Sequence, residues 1–113
     1  MTKNRFCPVS ATADIVGRKW TLIVVHNLLD KPLGFNELKR LIQGISSKTL
    51  SNSLSYLTQE GIVERKVHQN SPIRVEYSLT KKGREMKGLI EEMKGWGETW
   101  IKENSNDRNI YDR

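Results

Sequence analysis

Ser46-Ser47-Lys48-Thr49-Leu50-Ser51-Asn52-Ser53-Leu54-Ser55-Tyr56-Leu57-Thr58-Gln59-Glu60-Gly61 has a helix start, a helix stop and two unlike faces. Leu50, Leu54 and Leu57 fall at i, i+4 and i+7, on one stripe of a 3.6-residue period, and such a stripe has to be buried. Ser46 suits the N-cap, its hydroxyl able to accept from the unpaired amides of the first turn, and Gly61 can take the left-handed conformation that ends a helix. Turning away from the leucines by about 100° per residue brings Lys48, Asn52 and Ser55 to the opposite face, with Thr49 and Ser51 beside them and no acid among them. A merely solvated face is more often dense in Glu and Lys. Short donors and acceptors are what a helix needs to lie against base edges and phosphates in a DNA major groove. The stretch by itself leaves both readings open.

Its neighbours supply a context. Residues 35–42 place Phe35, Leu38, Leu41 and Ile42 on one side and Lys39 and Arg40 on the other, a helix that Gln43 and Gly44 bring to an end. Only Gln43, Gly44 and Ile45 separate Ile42 from Ser46, the short glycine-containing turn expected inside a helix-turn-helix. Further upstream, Pro8 suits the first position of a short helix that closes at Gly17. The run Trp20 to Leu29 is apolar almost all round. Its β-branched residues permit a strand, but its length and the Trp20, Val24, Leu28 spacing favour a buried central helix.

Downstream of Gly61 the period changes. Ile62 to Gln69 and Ile73 to Leu79 are short, rich in Val, Ile and Tyr, and separated by Asn70, Ser71 and Pro72, the pattern of a hairpin. Val75, Tyr77 and Leu79 alternate with Glu76 and Ser78, which predicts one buried and one wet face. Arg65, Lys66, His68 and Arg74 lie along the hairpin or near its tip, so it reads as a basic wing beside a recognition helix. Thr80 then caps a long last helix, Lys81 to about Asn104, along which Met86, Leu89, Ile90, Met93, Trp96 and Trp100 trace an apolar stripe. Gly88, Gly95 and Gly97 each weaken that helix by roughly 1 kcal/mol relative to Ala, so packing has to hold it. A small domain has little core left for two tryptophans, and a second copy of the chain is the expected cover. The fold class is therefore mainly α with a small β-hairpin, a single winged-helix domain over residues 1–104 followed by a frayed polar tail, 105–113.

The 113 residues suffice for one domain and one core. With 19 Lys and Arg against 13 Asp and Glu, the net charge of +6 favours a polyanionic partner, nucleic acid or an anionic surface. Residues 1–45 carry seven bases and three acids, so the excess lies mostly there. No apolar run approaches the length of a membrane span and the first residues lack the apolar core of a secretory signal, which predicts a cytoplasmic protein without a membrane partner. Cys7 is the sole cysteine, excluding an internal disulfide, and with His26 and His68 the only histidines no metal-ligand spacing arises. Neither metal nor cofactor is expected.

Six segments in order carry a resemblance to the HxlR family of winged-helix transcriptional regulators: Cys7-Pro8, Gly17-Arg18-Lys19-Trp20, Phe35-Asn36-Glu37-Leu38, Gly44-Ile45-Ser46, Gly61-Ile62-Val63-Glu64-Arg65 and Val75-Glu76-Tyr77-Ser78-Leu79-Thr80. The last is the most specific. The resemblance implies a homodimer joined through the N- and C-terminal helices, binding pseudo-palindromic operator DNA upstream of regulated genes. Relatives often carry Arg at the position of Ser55 and just before Phe35, where this chain has Gly34, so operator sequence and affinity do not transfer.

On this reading Ser46, Ser47, Lys48, Thr49, Ser51, Asn52 and Ser55 are the recognition-helix residues, since the N-terminal part of that helix enters the groove. Lys39, Arg40, Arg65, Lys66, His68 and Arg74 are the phosphate and wing candidates. Cys7, directly before a helix N-terminus and near Lys3 and Arg5, is placed where a thiolate is favoured, a setting for a redox or electrophile sensor. Some HxlR-type regulators are similar to this in using an N-terminal cysteine as a switch, through an adduct or an intersubunit disulfide, with a small molecule or oxidant as effector. The plainer reading makes Cys7 a small hydrophobe at the dimer interface. Two other classes compete. A small enzyme needs a nucleophile with its base, or paired carboxylates in a cleft, and no such pattern stands out. A winged-helix module for protein or RNA lacks operator specificity, and preference for specific duplex DNA separates the two.

Overall fold

In the computed structural model, which describes residues 6–70 and 72–101, Pro8 opens α1 (Pro8–Val16) directly after Cys7, whose sulfur accepts the Ser10 amide at 3.4 Å. The chain continues through α2 (Lys19–Leu28), α3 (Phe35–Leu41), α4 (Ser47–Gln59), β1 (Val63–His68), β2 (Arg74–Leu79), α5 (Lys81–Arg84) and α6 (Lys87–Trp100). Helices surround one core, and the two strands pair antiparallel, Val63 opposite Leu79 and His68 opposite Arg74. The expected winged helix-turn-helix order is present.

α2 is the central helix, burying Thr21, Val24, Val25 and Leu28. Thr21 is tolerated there because its hydroxyl donates to the Arg18 carbonyl at 2.9 Å, leaving no orphaned polar group. Leu50, Leu54 and Leu57 of α4 meet α2 from the other side together with Leu33, Leu38, Ile42, Ile45, Ile62 and Val63. Burying each leucine is worth roughly 2 kcal/mol, which fixes the rotation of α4 and so decides which face it shows. Leu33 adds a third strand reduced to one residue, exchanging backbone hydrogen bonds of 3.0 and 2.8 Å with Tyr77. That bridge ties the approach to α3 to the hairpin.

Both ends of α4 are closed by the residues its sequence indicates. The Ser46 hydroxyl accepts the Thr49 amide at 3.0 Å. At the other end Gly61 takes φ +76°, letting the Ile62 amide reach the Leu57 carbonyl at 2.9 Å and the Gly61 amide reach Thr58 at 3.1 Å. Lys82 of α5 donates to the Glu60 carbonyl at 2.6 Å, a cation at a helix C-terminus, where the dipole favours it. Gly44, at φ +86°, makes the turn between α3 and α4.

Three expectations need correction. The single last helix from Lys81 to Asn104 is two helices: α5 ends at Arg84, and Glu85 and Met86 take ψ near −5° before α6 begins. The cause is a clamp at the end of the hairpin. Thr80 caps α5 and donates to the Gly61 carbonyl at 2.6 Å, Arg84 donates to the Leu79 carbonyl at 3.1 Å, and Gly83 lies directly against the Ile62 carbonyl. The path of α5 is thereby set, and the chain turns at Glu85 and Met86 to bring Ile90 back to the core. The expected end of that helix near Asn104, and the tail 105–113, lie outside the described residues. Leu41 is the second correction: it is 58 % exposed, because α3 stops there and Ile42, in extended backbone, enters the core in its place. Third, the two faces of β2 are not cleanly wet and dry; Val75, Glu76, Tyr77 and Ser78 are all half-buried.

Candidate nucleic-acid interface

With its leucines anchored, α4 turns Lys48, Ser51, Asn52 and Ser55 to solvent, and no acid occurs between Ser47 and Gln59. These four form the polar face anticipated from the spacing. Ser46, Ser47 and Thr49 stand apart from it. The Ser46 hydroxyl serves as the cap and donates to the Thr49 hydroxyl at 3.0 Å, and Thr49 is half-buried, so both have local work at the helix start. Ser47 is exposed in the first turn. Ser53, which the spacing did not single out, is buried beside the leucines, small enough to let α4 lie close on the core.

The register divides the wing candidates. Side chains alternate across a strand, so Lys66, His68, Arg74 and Glu76 share one face of the hairpin while Arg65, opposite Tyr77, belongs to the other. On the shared face His68 Nε2 lies 2.9 Å from Glu76 Oε1, and Arg74 Nη1 lies 3.6 Å from Glu76 Oε2. Glu76 therefore offsets part of the charge on two of the residues named above as phosphate and wing candidates. Lys39 and Arg40 are exposed in the last turn of α3. Arg18, the N-cap of α2, lies with its guanidinium carbon 4.0 Å from the centroid of the Tyr56 ring on α4, a contact that only the fold creates.

The other candidates are carried by other elements, Cys7 at the start of α1 and the apolar stripe along α6 from its N-cap Met86. Cys7 is exposed at the N-cap of α1, with the Ser10 amide as its partner. Of the six stripe residues on the last helix, Ile90 is 7 % exposed and Met86 packs against the core, so these two are taken up within the chain. Leu89, Met93, Trp96 and Trp100 remain outward, the tryptophans at 62 and 68 % exposure. Among the described residues no group of three or more His, Cys, Asp and Glu side chains comes together to hold a metal ion, and no helix is long and apolar enough to cross a membrane.

A capped helix with an acid-free polar face, set behind a short turn and flanked by a basic hairpin, defines a winged helix-turn-helix protein. The chain belongs to the HxlR-like helix-turn-helix family, whose sequence profile matches residues 15–105. Its relatives include the uncharacterised HTH-type transcriptional regulator YdeP of Bacillus subtilis, 40 % identical over 94 residues that cover 83 % of this chain and 73 % of YdeP. The HTH-type transcriptional regulator YodB of the same organism is 36 % identical over 96 residues, 84 % of this chain and 86 % of YodB. The reduced form of YodB superposes with a TM-score of 0.77 at 34 % identity, covering 86 % of this chain and 96 % of that one. The redox regulator HypR in its oxidised form gives the same TM-score at 40 % identity, covering 82 % and 96 %. Family and winged-helix fold thus agree with what the sequence motifs implied.

Proposed function

We propose that the chain is a homodimeric regulator that binds pseudo-palindromic operator DNA through α4. The observation that carries this reading is the exposed, acid-free face of Lys48, Ser51, Asn52 and Ser55, oriented by three buried leucines. In a major groove Asn52 is suited to a bidentate pair with adenine and Lys48 to guanine, while Lys39, Arg40, Arg65 and Lys66 fit the phosphates. Leu89, Met93, Trp96 and Trp100 supply an apolar face for a second copy, which sets two recognition helices about one turn of DNA apart, roughly 34 Å. Binding, with no bond chemistry, is the activity.

Cys7 makes the regulator responsive to oxidants or electrophiles. Its thiol is exposed, and relatives at this identity include one named a redox regulator. Two Cys7 thiols, one per protomer, would give up two electrons and two protons to an oxidant such as diamide, which is reduced to its hydrazine, as the S–S bond forms.

Selection of bound fragments from a random duplex pool, followed by anisotropy titration, tests the central claim. A recovered palindrome of 20 to 30 base pairs should bind far tighter than random duplex at moderate salt, typically by about 10³-fold or more. Equal affinity for both, or tighter binding of single-stranded RNA, would sink operator recognition in favour of an interaction module.

A further inference from the structure

Arg18 stands outside both α4 and the wing, yet its side chain ends on the recognition helix. Its main chain is fixed on both sides: the amide donates to the Ile15 carbonyl at 3.3 Å, and the carbonyl accepts the Thr21 hydroxyl at 2.9 Å and the Leu22 amide at 3.2 Å. From this anchored base the guanidinium reaches the Tyr56 ring at 4.0 Å. A guanidinium laid on an aromatic ring uses its flat face and leaves its N–H edges pointing away from the ring. Among the described residues no carboxylate forms an ion pair with those edges. Prior ordering by the ring also lowers the entropy lost when the edges find a further acceptor.

The position matches a need of the interface. Tyr56 follows Asn52 by four residues, so the ring borders the exposed face one helical turn beyond Asn52. α4 contributes a single cation of its own, Lys48, and that lies in the first turn. On the wing, Glu76 engages His68 and Arg74. Arg18 is thus, among the described residues, a cation without an acid partner, held against the later turns of α4.

Taking α4 as the recognition helix, as proposed above, we infer that Arg18 is a DNA-phosphate contact, carried by α2 and held edge-outward at the flank of α4 by the Tyr56 ring. It adds affinity without sequence preference, since phosphate contacts position the protein and base contacts specify.

The test is anisotropy titration of the full chain against the selected palindrome and a random duplex of equal length, between 50 and 200 mM salt. For Arg18→Ala the slope of log affinity against log salt should become shallower by about 0.9 per bound subunit, with equal fold-loss on both duplexes. Tyr56→Phe, which keeps the ring, should bind as the unsubstituted chain does. Tyr56→Leu should weaken binding in that chain and add nothing in Arg18→Ala. An unchanged slope in Arg18→Ala overturns the assignment and leaves the stack a structural brace, visible only in the thermal midpoint. Loss confined to the palindrome overturns it too, because Arg18 then reads sequence. Salt-dependent binding by the unsubstituted chain keeps these failures separate from failure of the recognition-helix reading, whereas no duplex binding at all removes both.

Discussion

The His68 imidazole meets the Glu76 carboxylate at 2.9 Å on the same hairpin face from which Arg74 approaches that carboxylate at 3.6 Å. One acid therefore draws on two of the bases that the wing presents. The first pair crosses between the strands and the second lies within β2, and part-exposed pairs of this kind support a hairpin only weakly, so their larger effect is on what the wing offers to a polyanion. Replacing Glu76 by Gln should leave the thermal midpoint nearly unmoved and tighten binding to random duplex several-fold. The salt dependence should steepen by up to about 0.9 for each phosphate newly met. An unaltered slope across a salt series would mean that this face of the hairpin does not meet DNA.

The side chains of Lys48 and Asn52 are exposed and make no hydrogen bond or ion pair within the described residues, so their removal should cost the fold little. Their loss should instead cost discrimination. A good bidentate base contact is worth roughly 1–3 kcal/mol, so Asn52→Ala should reduce the preference for the palindrome over random duplex by about tenfold or more. Lys48→Ala should do the same at a different base position. Competition binding with single-base variants of the palindrome reads out which positions lose their effect.

Local signals carried most of this fold because they are short-range. Ser46 as cap, Gly61 as stop, the Leu50, Leu54, Leu57 stripe and the turn at Gly44 each declare themselves within a few residues, and all four appear as their spacing indicates. The split of the last helix was hidden because its cause is tertiary. Nothing near Gly83 in the chain reveals that Ile62, 21 residues earlier, lies against it. The wing shows the same limit. Its bases are legible one by one, and alternation within β1 already parts Arg65 from Lys66 and His68, but only the pairing register puts His68 and Arg74 on one face beside Glu76. Arg18 was visible as a letter of a motif, and its contact with Tyr56, 38 residues away, was not.

Gly83 gives that tertiary constraint a measurable form. A methyl group there would overlap the Ile62 carbonyl oxygen and crowd the Ile62 and Leu79 side chains. Backbone oxygen cannot step aside as a flexible side chain can, so Gly83→Ala should destabilise by about 2 kcal/mol even though alanine is the better helix former. In a domain of this size that lowers the thermal midpoint by roughly 8–16 °C. Gly88→Ala, where the added methyl meets nothing within 4 Å, is the control and should raise the midpoint slightly. Equal midpoints for the two variants would show that α5 shifts freely and that the clamp does not set the turn at Glu85 and Met86.

Cys7 allows an unusually clean substitution because its sulfur fills the N-cap position of α1. Serine is a stronger cap and can accept the same Ser10 amide, so Cys7→Ser should fold and bind DNA as the unsubstituted chain does. Treatment with diamide or a quinone should release the palindrome from the unsubstituted chain and leave the Cys7→Ser complex intact. Non-reducing electrophoresis after diamide should show a cross-linked pair of chains only where Cys7 is present. Equal release from both proteins would remove the sensor.

The outward face of α6 bears on all of these measurements, because two half-sites require two chains. Trp96 and Trp100 are 62 and 68 % exposed, Met93 is 44 % exposed, and a methyl group at Gly95 or Gly97 would meet nothing within 4 Å. The tryptophans thus contribute little to the chain's own core while offering two large apolar surfaces, one turn apart on the helix, to a partner. Sedimentation should give twice the 13.0 kDa chain mass at micromolar concentration. The double variant Trp96→Glu, Trp100→Glu should sediment as a single chain with its helical circular dichroism preserved, since the core around Leu50, Leu57 and Ile90 is untouched. Its affinity for the palindrome should fall steeply, by about 10²-fold or more, as the second half-site no longer binds at a high effective concentration. Binding to an isolated half-site should change little. A double variant that still sediments as a dimer would move the interface off this face.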